Sequence, residues 1–326
     1  MRWRSLGLLG LLLALVVVAY YALERKDAPS GSDANRLFHA EEKDVEAISI
    51  TRGDTLIVLK REGDLSAGQA GGWRLTEPVQ AAADSTEVAS LLHTLLDTKE
   101  ERRIEEAPAN PADYGLEHPS IHLRLTLKGG KTLPALLLGD LNPNGRSVYT
   151  RRADQPAVFL VTVMVRLRTD KKPDDFRDKT LLAIEPNHVT KVELMGKGQP
   201  IRLSRTEGKG WEINTPTQAR ADAAVIGQML WKIKDTRVEA FADSGPDAKR
   251  KYGLERPDLI VELKDAGTVK RLLLKKAADP KVGLYAMAEP GVGVVTLNAD
   301  LLTDLSKVPS DLVDRSSPDS HTPTGR

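Results

Sequence analysis

The phrase YGLEHP occupies residues 114–119 and YGLERP residues 252–257, and this repeat at a spacing of 138 constrains the fold more than anything else in the chain. Aligning residues 72–129 with 210–267 at that offset, without gaps, leaves 19 identical positions in 58. Unrelated segments of ordinary composition share about one position in seventeen. The correspondence continues with small shifts: LFHAEEKDV at 37–45 echoes LLAIEPNHV at 181–189, SVYTR at 147–151 echoes GLYAM at 283–287, and DDFRDKT at 174–180 echoes SDLVDRS at 310–316. The chain therefore holds two tandem units, 37–180 and 181–316. A period near 140 residues is a domain duplication, since solenoid repeats run about 20 to 50 residues.

Each unit reads as mostly antiparallel sheet with one main helix, an α+β arrangement. VEAISITR (45–52) and DTLIVLKR (54–61) flank a Gly-Asp turn as a hairpin, GWRLT (72–76) adds a strand, and Pro78 ends it. Asp84 is placed to cap a helix whose apolar residues Val88, Leu91, Leu92, Leu95 and Leu96 recur on one face. Asp222 does the same for Ile226, Met229, Leu230 and Ile233. IHLRLTL, KTLPALLLG, SVYTRR and AVFLV then read as four more strands in the first unit.

The repeated phrase reads as a folding joint. Gly115 and Gly253 supply a backbone angle other residues resist, Pro119 and Pro257 set the entry to the next strand, and Tyr114 and Tyr252 anchor the corner by burial. A repeated ligand site using the tyrosines with Glu117 and Glu255 is the functional alternative. Trp73 and Trp211, each after a glycine at the start of the third strand, read as core between strand and helix, with a carbohydrate or peptide platform as the alternative.

The first 23 residues differ from the rest. MRWR carries two arginines, and the 19 residues from Ser5 to Leu23 are uncharged. As a helix they span roughly 28 Å, the depth of a hydrocarbon core. Arg2 and Arg4 against the balanced ERKD at 24–27 put the amino terminus in the cytoplasm. The expectation is a single-pass signal anchor in the inner (cytoplasmic) membrane, a polar linker at 24–36, an ectodomain in the periplasm or extracytoplasmic space, and a disordered tail at 317–326. A cleaved signal peptide competes, but Tyr20, Tyr21 and Ala22 make a poor cleavage site.

Charge and chemistry narrow the function. Lys plus Arg number 47 against 46 Asp plus Glu, so no net field favours nucleic acid. With no cysteine, disulfides, thiol catalysis and Cys-ligated zinc are excluded. GGKT at 129–132 lacks the earlier glycine of a phosphate-binding loop and reads as a hairpin turn, and none of the six histidines recurs between the units. No catalytic constellation, cofactor motif or metal set emerges, so a non-enzyme is expected. The charged run VRLRTDKK at 165–172 reads as a solvated face.

The Gly-Trp strand with its proline and capped helix, the Tyr-Gly-Leu-x-x-Pro joint, the anchor and the late VFLV strand together resemble the bacterial domain of unknown function 4340 family, once per unit. The second copy departs, with VVTL (294–297) for VFLV and LKKAADP (274–280) for the Leu-Gly-Asp at 138–140. The resemblance implies an accessory role at an ABC-type transporter and brings no catalytic residues. Two readings follow. One is a membrane-anchored accessory or scaffold protein that binds transporter subunits or cargo. The other is a cell-envelope polymer hydrolase, with recurring carboxylates such as Asp84, Asp97, Glu101 and Glu117 meeting in a cleft between the repeats.

Overall fold

The computed structural model describes residues 35–63, 72–291 and 293–315. The expected anchor, nearly all of the linker and the tail lie outside them. No helix among the described residues is long and apolar enough to cross a membrane. The chain divides after Arg177, three residues before the boundary expected from the sequence.

The first unit is a nine-stranded antiparallel sheet. Strands β1 (Val45–Arg52), β2 (Thr55–Arg61), β3 (Trp73–Glu77) and β4 (Ala81–Ala82) form one half, and β6 (Ile121–Leu127), β7 (Leu136–Leu141), β8 (Ser147–Arg152), β9 (Val158–Thr162) and β5 (Arg102–Glu105) the other. The spatial order is β4-β3-β2-β1-β6-β7-β8-β9-β5. The second unit repeats that order with β13 (Ala219–Arg220), β12 (Gly210–Thr215), β11 (Ile201–Thr206), β10 (Val189–Met195), β15 (Leu259–Asp265), β16 (Thr268–Lys276), β17 (Leu284–Glu289), β18 (Val294–Leu297) and β14 (Ala240–Asp243). The two-residue strands and the four-residue edge strands β5 and β14 are too short to show an alternation in the sequence.

Helix α1 (Ser85–Asp97) covers one face of the first sheet. The Asp84 carboxylate accepts the N–H groups of Thr86 and Glu87 at 3.0 and 3.2 Å, satisfying two donors that the helix itself cannot. Val88, Leu91, Leu92, Leu95 and Leu96 are buried against Ile48, Leu59, Leu123 and Phe159. Each such side chain contributes about 1.5–3 kcal/mol by leaving water. A short helix, α2 (Val163–Thr169), follows β9. The run VRLRTDKK is therefore helical at its start, with Val165 fully buried and its Lys171 ammonium paired to Glu87.

In the second unit, helix α3 (Ala223–Asp235) is capped by Asp222 through Ala224 and Val225 N–H groups at 2.8 and 3.2 Å, and buries Ile226, Met229, Leu230 and Ile233. A one-turn helix α4 (Ala248–Lys251) precedes Tyr252, and α5 (Asp300–Leu305) and α6 (Pro309–Leu312) close the unit. The cap residues are tied alike: the Asp84 N–H donates to Phe176 O and the Asp222 N–H to Leu312 O, both at 2.8 Å.

The hairpins after the joint differ. β15 and β16 pair in full around Ala266 and Gly267, whose φ angles of 46° and 87° suit a tight two-residue turn. In the first unit β7 begins only at Leu136 rather than at Lys131, because Pro134 offers no N–H to the ladder.

Candidate functional site

Alternation along the late strands gives each sheet two apolar faces. Leu136 and Leu138 enter the core under α1, while Leu137 points to a smaller cluster on the opposite face with Leu116, Val158, Tyr114 and Tyr149. Leu272 and Leu274 divide from Leu273 in the same way, the latter joining Leu254, Val294, Tyr252 and Tyr285. The repeated phrase is the cover of that second face.

Its parts are nearly superimposable in geometry. Gly115 and Gly253 have φ of 66° and 71°, the left-handed region that a side chain resists. The Tyr114 ring lies 4.9 Å from Tyr149 and the Tyr252 ring 4.7 Å from Tyr285, each pair tilted by 59°. Past Pro119 and Pro257, the N–H groups of Ser120 and Asp258 donate to Leu138 O and Leu274 O at 2.9 and 2.8 Å, opening the next strand pair. Glu117 and Glu255 are exposed, and no hydrogen bond or ion pair among the described residues holds either. Trp73 and Trp211 are 5 % and 6 % exposed, part of the main cores, with the guanidinium of Arg61 or Arg205 over the ring at 4.6 or 5.8 Å. Burial leaves neither indole face open as a platform. Among the recurring carboxylates, Asp84 caps α1, Asp97 pairs with Arg36 and His93, and Glu101 accepts from Ser147 Oγ at 2.7 Å. No group of three or more possible metal ligands occurs among the described residues.

A cleft lies at one end of the second sheet. Its volume is about 680 Å3, and it is walled by Leu194, Ile201, Leu259, Leu302, Val308 and the prolines Pro216 and Pro309. Lys197, Lys276 and Lys307 also line it, with Asp258 as its single carboxylate. The size falls within the range of small-molecule sites. Burial alone would raise the Asp258 carboxyl, but the Lys276 N–H and the Lys275 ammonium, at 2.9 and 3.1 Å, together with the charges of Lys275 and Lys197, hold it below its ordinary value. No ion pair or hydrogen bond among the described residues engages the ammonium groups of Lys197, Lys276 or Lys307.

Strand register shows why the cleft is open here. Ile50 pairs with Ile57 and Leu123, as Leu194 pairs with Ile201 and Val261, so Gly196 stands where Arg52 stands in the first unit. The bridges Ala83–Arg177 and Ala221–Val313 likewise set Ser306 and Lys307 against Asp170 and Lys171. In the first unit Arg52 Nη1 donates to Asp170 Oδ1 and Lys171 Nζ to Glu87 Oε1, both at 2.5 Å. In the second, Gly196 and Ser306 cannot form the first pair, and Val225 replaces Glu87 in the second. The same end is therefore tied shut by charge in one unit and left open, with free lysines, in the other.

Sequence reasoning identified the replacement of Leu-Gly-Asp by LKKAADP, hence Lys275 and Lys276, but not Lys197, Asp258 or Lys307. The usable signal was not recurrence but its failure: positions where one copy carries a charge pair and the other does not.

No curated protein and no solved structure matches the chain. A family model described as Domain of unknown function (DUF4340) matches residues 73–211 and again 211–317. Each match starts at the tryptophan of a third strand, so the first takes β10 and β11 from the second unit in place of β1 and β2. Those two strands stand between β3 and β6, so the compact unit needs the hairpin that precedes the match. With matches over well more than half its length, the chain belongs to this family, in two tandem copies.

Proposed function

We propose that this is a membrane-anchored, extracytoplasmic accessory protein that recognises cargo for an ABC-type transporter or envelope complex. The carrying observation is the cleft of the second unit: two copies of one scaffold, of which one has its rim sealed by ion pairs and the other sets three lysines, none in an ion pair among the described residues, around apolar walls. That is the pattern of a duplicated scaffold with one copy specialised for binding. The uncharged stretch Ser5–Leu23 supports the tether, and the short linker keeps the units within about 45 Å of the bilayer at full extension. The transporter partner follows from the family resemblance.

Crosslinking in native membranes followed by affinity purification of the full chain tests it. Permease or ATPase subunits are expected, with recovery lost when residues 1–24 are replaced by a cleavable signal sequence. Reproducible absence of any transporter subunit overturns the partner.

A further inference from the structure

We infer that the cleft of the second unit binds a small anionic amphiphile, an apolar body carrying one phosphate-like or carboxylate head, with Lys197, Lys276 and Lys307 around the head. This rests on the reading of that cleft as a recognition site. It is independent of the transporter.

The walls define the body of the ligand. Leu194, Ile201 and Leu259 are core residues at the ends of their strands, and Leu302, Pro309 and the exposed Val308 close the other side. An apolar segment seated there leaves water against these apolar walls.

The head is defined by charge. Three lysines stand against one aspartate, and that aspartate is already engaged by the Lys275 ammonium and the Lys276 N–H. Lysine ammonium groups act as compact point charges with rotatable donors, so they suit a phosphate-like or carboxylate head without demanding a planar bidentate partner. A neutral apolar ligand would leave this excess unanswered, and a polyanion without an apolar body would leave the walls wet.

The backbone also admits a direct test of the opening. A Cβ at Gly196 would meet its nearest atoms, Asp258 O and Leu259 Cδ1, at 3.5 Å, ordinary contact, and its φ is not left-handed. A side chain can start there without a clash. The pair Gly196→Arg with Ser306→Asp therefore rebuilds in the second unit the Arg52–Asp170 bridge of the first.

The experiment is calorimetric titration of the full chain in neutral-lipid nanodiscs with decyl phosphate below its micellar concentration, with decanol and inorganic phosphate as half-ligands. Saturable binding of decyl phosphate is expected, at least tenfold tighter than either half-ligand. The triple variant Lys197→Gln, Lys276→Gln, Lys307→Gln should weaken it tenfold or more, and Gly196→Arg/Ser306→Asp should abolish it, both with unchanged circular dichroism. Should the double variant misfold, the triple variant, at surface and rim positions, still decides. Equal affinity for decanol and decyl phosphate, or undiminished binding by the triple variant, overturns the inference. So does binding to anionic vesicles that decyl phosphate does not compete away, which would assign the lysines to a bilayer surface. If the triple variant loses the amphiphile yet still recovers transporter subunits from membranes, the ligand and the transporter readings each stand. If wild type fails to bind but recovers those subunits, only the ligand falls.

Discussion

The joint of the first unit is a tight seam packed around glycines, and that of the second is held by a lysine. In the first, β7 bulges between Leu138 and Leu141, and Gly139 passes so close to the Tyr-Gly corner that a Cβ there would lie 2.1 Å from Tyr114 O. Arg166 Nη1 secures the bulge by donating to Gly139 O at 2.8 Å. In the second, β16 runs on beside β17 without a bulge, and Lys275 and Lys276 occupy the positions of Gly139 and Asp140. There the contact is made by Lys275 reaching Asp258, while a Cβ at the corner glycine, Gly253, would meet its nearest atom, Lys275 Cε, at 3.7 Å. The same topology thus tolerates a tight, glycine-dependent seam and a looser, charged one. The looser one borders the cleft.

The strongest test of that contrast is to exchange the residues. Gly139→Lys forces a side chain into space filled by the Tyr114 carbonyl and should destabilise the first unit by about 3 kcal/mol, the upper range for overpacking. Lys275→Gly removes a half-exposed ion pair and adds a flexible residue to a strand, and should cost the second unit about 1 kcal/mol. Urea unfolding combined with site-resolved hydrogen exchange reads both, since the two units need not unfold together. Equal losses in the two exchanges would mean that the seams do not differ.

A smaller effect should be the same on both sides. Asp84→Ala and Asp222→Ala each remove an N-cap accepting two helix N–H groups and should each cost about 1 kcal/mol, seen as faster exchange in the first turn of α1 or α3. A cost confined to one unit would show that the caps, unlike the joints, have diverged.

These caps were legible in the sequence because capping and amphipathic periodicity act within a few residues: Asp84 with Val88, Leu91 and Leu95 needs no tertiary information. The Tyr-Gly-Leu corner was legible as a joint because it recurs, yet its partners Tyr149 and Leu137 were not, being set by sheet order. Strands β4 and β5 were invisible because two alanines carry no period and the four residues of β5 are mostly exposed and charged. The cleft was hidden for a different reason. Gly196, Ser306 and Val225 are unremarkable until register shows which charged residues they replace, and register is a property of the assembled sheet.

The finest distinction between the units is acid sensitivity. Asp258 and its counterpart Ser120 open equivalent strands, but only the carboxylate titrates. Although burial works against it, bonds from the Lys276 N–H and Lys275, with the charge of Lys197 adding to theirs, hold its folded pKa below the unfolded value. Its stabilisation is therefore fully present above the unfolded value, about 3.9, and is lost as pH falls through the folded one. Hydrogen exchange of the Lys276 amide, corrected for the intrinsic pH dependence of exchange, should lose protection over that window, while the Ser120 amide, which donates to Leu138 O, should not. Asp258→Asn should flatten the response. The same protonation removes the cleft's one negative charge, so affinity for decyl sulfate, whose head keeps its charge in acid, should rise where local stability falls. Changes of the same sign would mean that Asp258 holds the cleft's shape rather than offsetting its charge.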